Sequence, residues 1–283
     1  MTKSNASTPT NNLLDAPVLL ELKLPAFDAV HLTLVGCGGT GSHIATGLGA
    51  LLLALGLPYS LTLIDPDIVE TKNVGRQLFA ASDVGKPKTE VIAARLANAY
   101  GIVPYVMTRG VDALDWQTLE PRVLHLVIGA VDNPAARSVI ANAVKRGEGA
   151  LWWLDCGNEN ASGQVLLGNI ADARKMRGAA TLGLIDRLPA PHLVYPDLIK
   201  SARFPRLARA ASCAELTALG EQGLMVNRMV AAWALELLDA LLVRREVKWF
   251  GQRFDLRWGN TSPLTLDLPT LASACGLIES DLI

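Results

Sequence analysis

The chain has 283 residues, enough for one large domain with a sizeable hydrophobic core. Hydrophobic residues make up 50% and charged residues 19%, which excludes a largely disordered chain and fits a parallel sheet covered by helices on both faces. With 26 basic and 27 acidic residues the net charge is -1, so bulk charge indicates no nucleic-acid partner and no anionic membrane surface.

Membrane insertion and export are not expected. The longest apolar run, 48–59, is shorter than the roughly 20 residues that a spanning helix needs. Residues 1–12 are rich in Ser, Thr and Asn without the pattern of a signal peptide, so we expect a flexible tail over 1–20 and a single domain over 21–283. The four cysteines are widely separated and include no C-x-x-C pair, which favours a reducing cytoplasm over a disulfide scaffold or a zinc site.

Apolar periodicity predicts strands that alternate with helices from the start of this domain. The predicted strands are 31–36, 60–64, 104–107, 123–128 and 151–155, and the predicted helices are 40–57, 88–100 and 134–146. Parallel strands need crossovers, which are usually helical. The pattern therefore predicts an α/β fold with a Rossmann-like, doubly wound, mostly parallel sheet and a nucleotide-binding core over about 30–160.

The second part, about 161–283, has a different pattern. After a predicted strand at 163–170, the segment 171–212 is rich in Pro, Arg and Ala with weak periodicity, and we expect a long, partly mobile crossover. A core helix within 215–243 and closing antiparallel strands at 250–258 and 264–268 follow.

A glycine-rich turn follows the first predicted core strand. Its glycines are Gly36, Gly38, Gly39 and Gly41, directly before a predicted helix. In that setting glycines let the backbone approach phosphates at the positive end of the helix. The same spacing serves NAD, FAD and ATP proteins, and a purely structural turn is the alternative. In this context we favour nucleotide binding.

Asp65 ends the second core strand, where an acidic residue commonly accepts hydrogen bonds from ribose hydroxyls. Asp67 is the neighbouring candidate. The sequence Asp65-Pro66-Asp67 also favours a turn, so either carboxylate could have only a structural role within that turn. Neither residue separates NAD from ATP.

The following motifs resemble one family. The series is G-x-G-G-x-G, D-x-D-x-V-E, Asn73-x-x-Arg76-Gln77, G-x-x-Lys88 and Asp132-Asn-x-x-x-Arg. It is similar to the ThiF/MoeB/HesA family, which includes ubiquitin-activating enzymes, and plasmid-associated ThiF-like proteins are similar members. The match covers about 32–137, and the C-terminal helix and strands resemble the family more loosely.

The resemblance implies ATP and Mg²⁺ as cofactors and assigns site residues. Asn73, Arg76, Gln77 and Lys88 would contact the ATP phosphates, and Asp132 would bind magnesium. These groups suit attack of a carboxylate on the α-phosphorus, because fixed positive charges and a metal stabilise the charge that develops there. The implied partner is a small ubiquitin-like or sulfur-carrier protein with a C-terminal glycine, and the implied assembly is a homodimer.

Cys213 is the candidate acceptor of the activated acyl group, because it precedes the C-terminal helix at a position that resembles the acceptor of some relatives. A small buried residue is the equally weighted alternative. Cys37 and Cys156 are expected to be packing residues. The four histidines lack metal-ligand spacing, and His31 and His125 fit strand interiors.

Two of these residues have alternatives, and the sequence departs from the family pattern at two points. A shift of register would exchange Lys88 for Lys86, and Arg137 fits a structural brace of the Asp132 loop as well as a ligand contact. The family usually supplies an arginine from an N-terminal helix, whereas no arginine precedes Arg76 here, and the zinc cysteines of several relatives are missing. Two alternatives to an adenylyltransferase are kept. The glycine turn and Asp65 would also suit a NAD(P)-dependent oxidoreductase, and the missing arginine would suit a non-catalytic scaffold.

Overall fold

The computed structural model describes residues 18–114, 116, 119–147, 149–200 and 225–283. A mostly parallel sheet, covered by helices on both faces, forms the centre of the described chain. The first half of the chain contains β1 (Glu21–Leu22), β2 (Ala29–Val35), α1 (Gly39–Ala54), β3 (Tyr59–Ile64), α2 (Lys88–Tyr100), β4 (Tyr105–Met107), β5 (Val123–Gly129) and α3 (Pro134–Arg146). The later elements are β6 (Leu151–Asn158), β7 (Ser162–Gly168), β8 (Ala180–Thr181), β9 (Leu184–Ile185), α4 (Pro191–Val194), α5 (Val226–Leu242), β10 (Trp249–Asp255), β11 (Asn260–Thr265), α6 (Leu268–Cys275) and α7 (Glu279–Leu282).

The large sheet has eight strands in the order β11-β10-β7-β6-β5-β2-β3-β4. The pairs from β6 to β4 are parallel, whereas β7, β10 and β11 extend the sheet with antiparallel pairs. The chain runs from β2 outward through β3 to β4 and then returns to β5 on the other side of β2. The predicted mostly parallel α/β sheet with antiparallel closing strands is confirmed.

Helices cover both faces of the sheet and bury two apolar clusters. Helices α1, α2 and α5 pack over one face, and α1 contacts both of the other two. Helix α3 covers the opposite face and packs its buried residues Ile140 and Val144 against that side of the sheet. Because the central strands are covered on both sides, they read as continuous apolar runs.

The segment from Ala171 contains more structure than its weak periodicity predicted. Its described part, up to Lys200, includes β8, β9 and α4, and β9 pairs in parallel with β1 to complete a three-stranded sheet in the order β1-β9-β8. The end of the predicted N-terminal tail also packs, since Leu20 is buried and its N–H donates to the Leu266 carbonyl. Two-residue strands give no periodic signal, and partners distant in sequence define them.

No helix in the described part of the chain is long and apolar enough to cross a membrane.

Candidate functional site

A cavity of about 540 Å³ opens at the C-terminal ends of β2, β3 and β5. This is the point where the chain changes direction in the sheet, between β2 and β5, and ligands of doubly wound folds bind at such a point. The volume lies within the usual range for small-molecule sites. Most of the residues predicted for the site line its wall.

The glycine-rich turn forms one side of the cavity and leads into α1. Gly36 has φ +92°, which favours glycine, and an added Cβ there would lie 2.4 Å from the Ala130 carbonyl oxygen. Helix α1 begins at Gly39 with Gly38 as its N-cap, and no side chain caps its first N–H groups. Gly36, Gly38 and Gly39 line the cavity. The uncapped helix end is a ready anion-binding group.

Gly41, the last predicted glycine, serves packing in this structure. A Cβ on Gly41 would lie 1.8 Å from the Gly36 carbonyl oxygen, so this glycine lets α1 approach the turn. Among the described lining residues Gly41 is absent.

Asp65 joins the glycine turn to the end of β3. Its Oδ2 accepts a hydrogen bond from the Cys37 N–H at 2.6 Å, and its Oδ1 accepts one from the Asp67 N–H at 2.8 Å. Burial raises the pKa of this carboxyl group, while Lys88 and the two N–H donors act in the opposite direction. Each carboxylate oxygen has a second lone pair, so Asp65 can brace the turn and still accept a hydroxyl hydrogen bond.

Lys88 lies on the cavity wall at the start of α2. Its side chain is only 8% exposed, and its Nζ is 2.8 Å from Oδ2 of Asp67, whose own side chain is 63% exposed. Lys86 is exposed and does not belong to the described cavity lining. The structure therefore places Lys88, rather than Lys86, at the cavity.

The segment from Asn73 to Gln77 supplies neighbouring wall residues. Asn73 is buried and its Oδ1 accepts the Glu70 N–H at 2.8 Å, which holds the amide in place. Gln77 lines the cavity, and its buried Oε1 has no hydrogen-bond partner among the described residues. Arg76 is half-buried and lies outside the described lining, so its contact with phosphates stays a prediction.

Asp132 is exposed on the cavity wall just before α3. The capping role belongs to Asn133, whose Oδ1 accepts the Ala136 N–H at 2.8 Å, so the Asp132 carboxylate is not needed as the cap. Arg137, one turn later, donates from Nε to Oδ1 of the fully buried Asp155 at 2.8 Å. This pair links α3 to β6, so the structural contact of Arg137 is with β6 rather than with the Asp132 loop.

The described cysteines are not activated nucleophiles. Cys37 and Cys156 are buried, and burial raises the pKa of both thiols well above the usual value. Burial also raises the pKa of Cys275, on α6, to about 11. Cys213 lies outside the described residues. Of the histidines, His31 and His125 face each other across β2 and β5 with ring centroids 5.6 Å apart.

Two asparagines at the cavity were missed by sequence reasoning as site residues. Asn158 ends β6 and Asn227 lies in the first turn of α5, and both line the cavity beside Thr40. Asn158 Nδ2 donates to Thr40 Oγ1 at 3.0 Å, and Thr40 Oγ1 donates to Asn227 Oδ1 at 3.0 Å. A polar residue at the start of an apolar helix was the available signal for Asn227.

The comparisons with known proteins agree with this geometry. The model of the ThiF family matches residues 13–247. The chain belongs to the ThiF family. Human ubiquitin-like modifier-activating enzyme 7 is 42% identical over 65 residues, covering 23% of this chain and 6% of that protein. Mouse adenylyltransferase and sulfurtransferase MOCS3 is 32% identical over 116 residues, covering 41% and 24%. Escherichia coli tRNA threonylcarbamoyladenosine dehydratase is 40% identical over 82 residues, covering 27% of each chain.

Solved ThiF-like structures share the fold. PaaA superposes with a TM-score of 0.55 at 16% identity, covering 84% of this chain and 64% of that one. E. coli MccB with ATP gives a TM-score of 0.53 at 18% identity, covering 84% and 63%. At such identities the likeness concerns the fold alone. The chain spans at most 27% of the length of the curated relatives named here.

Proposed function

We propose that the protein is an ATP-dependent adenylyltransferase that activates the C-terminal carboxylate of a small protein. The observation that carries this proposal is the convergence of an uncapped helix end, the buried Lys88 ammonium and the Asp132 carboxylate on one cavity. In the reaction a carboxylate oxygen bonds to the α-phosphorus, the bond from that phosphorus to the bridging oxygen breaks, and pyrophosphate leaves. Negative charge grows on phosphate oxygens, so fixed positive groups stabilise the transition state.

The cavity offers a distinct environment for each part of the nucleotide. An apolar wall for the base is formed by Val35, Ile64, Val111, Val131 and Val139. Asp65 and Asp67 would accept hydrogen bonds from the ribose hydroxyls. Asp65 can do so because its two backbone contacts use only one lone pair on each carboxylate oxygen.

The phosphates would lie between the glycine turn and α2. The N–H groups at the start of α1 and the Lys88 ammonium face this region, together with the amides of Asn73 and Gln77. Lys88 would exchange part of its contact with Asp67 for the phosphates, because the exposed Asp67 carboxylate can be solvated by water. Arg76 stays a proposed contributor from the edge of this region.

The charge on the wall supports a role for magnesium. Two lysines, Lys72 and Lys88, line the cavity against five carboxylates, those of Asp65, Asp67, Glu70, Asp112 and Asp132. A triphosphate would add negative charge to an already acidic wall, so a divalent cation is needed to bind it. The described residues contain no group of three or more His, Cys, Asp or Glu that could hold a metal alone. Mg²⁺ commonly takes one or two carboxylates plus substrate phosphates, and Asp132 would hold it.

The acyl substrate is proposed from the relatives. MOCS3 is named an adenylyltransferase and sulfurtransferase, and the human relative a ubiquitin-like modifier-activating enzyme. A small ubiquitin-like or sulfur-carrier protein with a C-terminal glycine is therefore the proposed partner, because a glycine tail suits a narrow approach to the α-phosphate. Cys213, outside the described residues, is the proposed acceptor in a thioester step, in which its thiol loses a proton, bonds to the acyl carbon and releases AMP.

Calorimetry with ATP and with NAD, each with and without Mg²⁺, tests the proposal on the wild type and on Asp132→Ala. We expect Mg²⁺-dependent ATP binding that weakens markedly in the variant, since the carboxylate that would hold the metal is gone. Asn133 is unchanged, so the α3 cap and the fold should be kept. NAD binding that is indifferent to Asp132 would replace the proposal with an oxidoreductase, and binding of neither nucleotide would favour a scaffold.

A further inference from the structure

One amide group on the cavity wall has a donor without an acceptor among the described residues. Asn227 is 8% exposed, and its Oδ1 accepts hydrogen bonds from Thr40 Oγ1 and Asn158 Nδ2. Its Nδ2 makes no hydrogen bond to any residue that the structure describes. Because two donors hold Oδ1, the side chain is fixed with Nδ2 on the other side.

This donor lies against the start of α1. A Cβ placed on Gly39 would be only 2.5 Å from Asn227 Nδ2, so the absence of a side chain on Gly39 is what admits the amide. The uncapped first turn of α1 begins at this same glycine. The two kinds of donor, backbone and side chain, therefore share one corner of the cavity.

Asn227 as a whole is buried and lines the cavity, so an acceptor oxygen from a bound molecule in the cavity would pair with this donor. We propose that Asn227 Nδ2 donates a hydrogen bond to a phosphate oxygen of the nucleotide at the N-terminus of α1. This inference rests on the proposed ATP site and adds a ligand from a helix that lies 187 residues after Thr40 in the sequence.

A phosphate fits this corner better than a base or a ribose does. Helix N-termini bind anions, and the neutral Asn227 amide adds a donor without a competing negative charge. The apolar residues suited to a base, such as Val111 and Val139, belong to α3 and to the loop before β5 rather than to α1 or α5.

Calorimetric binding of ATP, AMP and adenosine to Asn227→Ala and Asn227→Asp tests the inference. The aspartate keeps an acceptor for Thr40 and Asn158 while it removes the donor and adds negative charge. We expect ATP affinity to fall roughly tenfold or more in the alanine variant, and further in the aspartate variant. Adenosine affinity should stay unchanged in both, because it lacks the phosphate.

Asn169→Asp is the matched control. Asn169 is also buried, and its amide donates to the Gly149 carbonyl and accepts the Leu188 N–H, but it lies outside the described cavity lining. This variant should lose stability and keep the ATP affinity of the wild type.

The outcomes separate this inference from the proposed function. Wild-type protein that binds no ATP would overturn both. ATP binding that is normal in Asn227→Asp, or adenosine binding that falls as far as ATP binding, would overturn only the role of Asn227. Should the alanine variant not fold, the aspartate variant decides.

Discussion

Substitution of Gly41 by alanine should damage the fold through a backbone collision. The added Cβ would lie 1.8 Å from the Gly36 carbonyl oxygen and 2.8 Å from its carbon, whereas ordinary contacts begin near 3.4 Å. Neither group is the end of a flexible side chain. The turn and α1 must therefore separate by about 1.6 Å, the difference between 1.8 and 3.4 Å.

The hydrogen bonds around Gly36 set the size of the effect. The Gly36 N–H donates to the Ile64 carbonyl at 2.8 Å, and the Cys37 N–H donates to Asp65 at 2.6 Å. A shift of that size breaks both bonds, at about 1 kcal/mol each. Overpacking adds roughly 1–3 kcal/mol, so we expect a loss of about 3–5 kcal/mol, a large part of the stability of a typical domain.

Urea denaturation followed by circular dichroism measures this loss. Gly38→Ala is the control, because its nearest atom would be Gln77 Nε2 at 3.8 Å, an ordinary contact. Gly38 lines the cavity, so this variant should keep most of its stability and lose ATP affinity. If Gly41→Ala unfolded at the urea concentration of the wild type, the packing role of Gly41 would be wrong.

Substitution of Lys88 should change activity and leave stability nearly unchanged, whereas substitution of His31 and His125 should change how stability depends on pH. Lys88→Met should leave the melting temperature nearly unchanged, because its partner Asp67 is mostly exposed and an apolar chain of similar length replaces a buried cation. It should lower ATP–pyrophosphate exchange about a hundredfold or more, whereas exchange at the wild-type rate would exclude Lys88 from the reaction. Burial lowers the pKa of His31 and His125, so both favour the neutral form in the folded state. Their contribution to the free energy of unfolding is full above the ordinary pKa of 6.5 and is lost as pH falls below it. Urea titrations at pH 7.5 and 5.5 should show a smaller acid-induced loss in the double variant to Gln, and an unchanged loss would remove the pair as its source.

The elements that the sequence predicted best have local boundary signals. Helix α2 begins at Lys88 and ends before Gly101, whose φ of +69° favours glycine, and α3 begins at Pro134 after the Asn133 cap. The predicted bounds of these two helices match the structure, because proline, cap and glycine act within a few residues of the boundary.

The parts that the sequence did not predict depend on distant partners. β1 and β9 are two residues long and exist because Glu21–Leu22 pair with Leu184–Ile185 across about 160 residues. Asn158 and Asn227 likewise come from β6 and α5 and meet only in the folded cavity. The spacing of residues along the chain gives no information about such contacts between residues that are distant in sequence.

The glycine turn shows why a motif predicts chemistry better than it predicts the individual role of each residue. The four predicted glycines span the turn and the start of α1, yet Gly36 and Gly41 admit neighbouring backbone, whereas Gly39 admits the Asn227 amide. Asp65 also combines two roles, because it holds the Cys37 N–H while it faces the cavity. The close backbone approaches at Gly36 and Gly41 leave the turn little room to rearrange, so we expect little ordering to oppose binding of the proposed nucleotide.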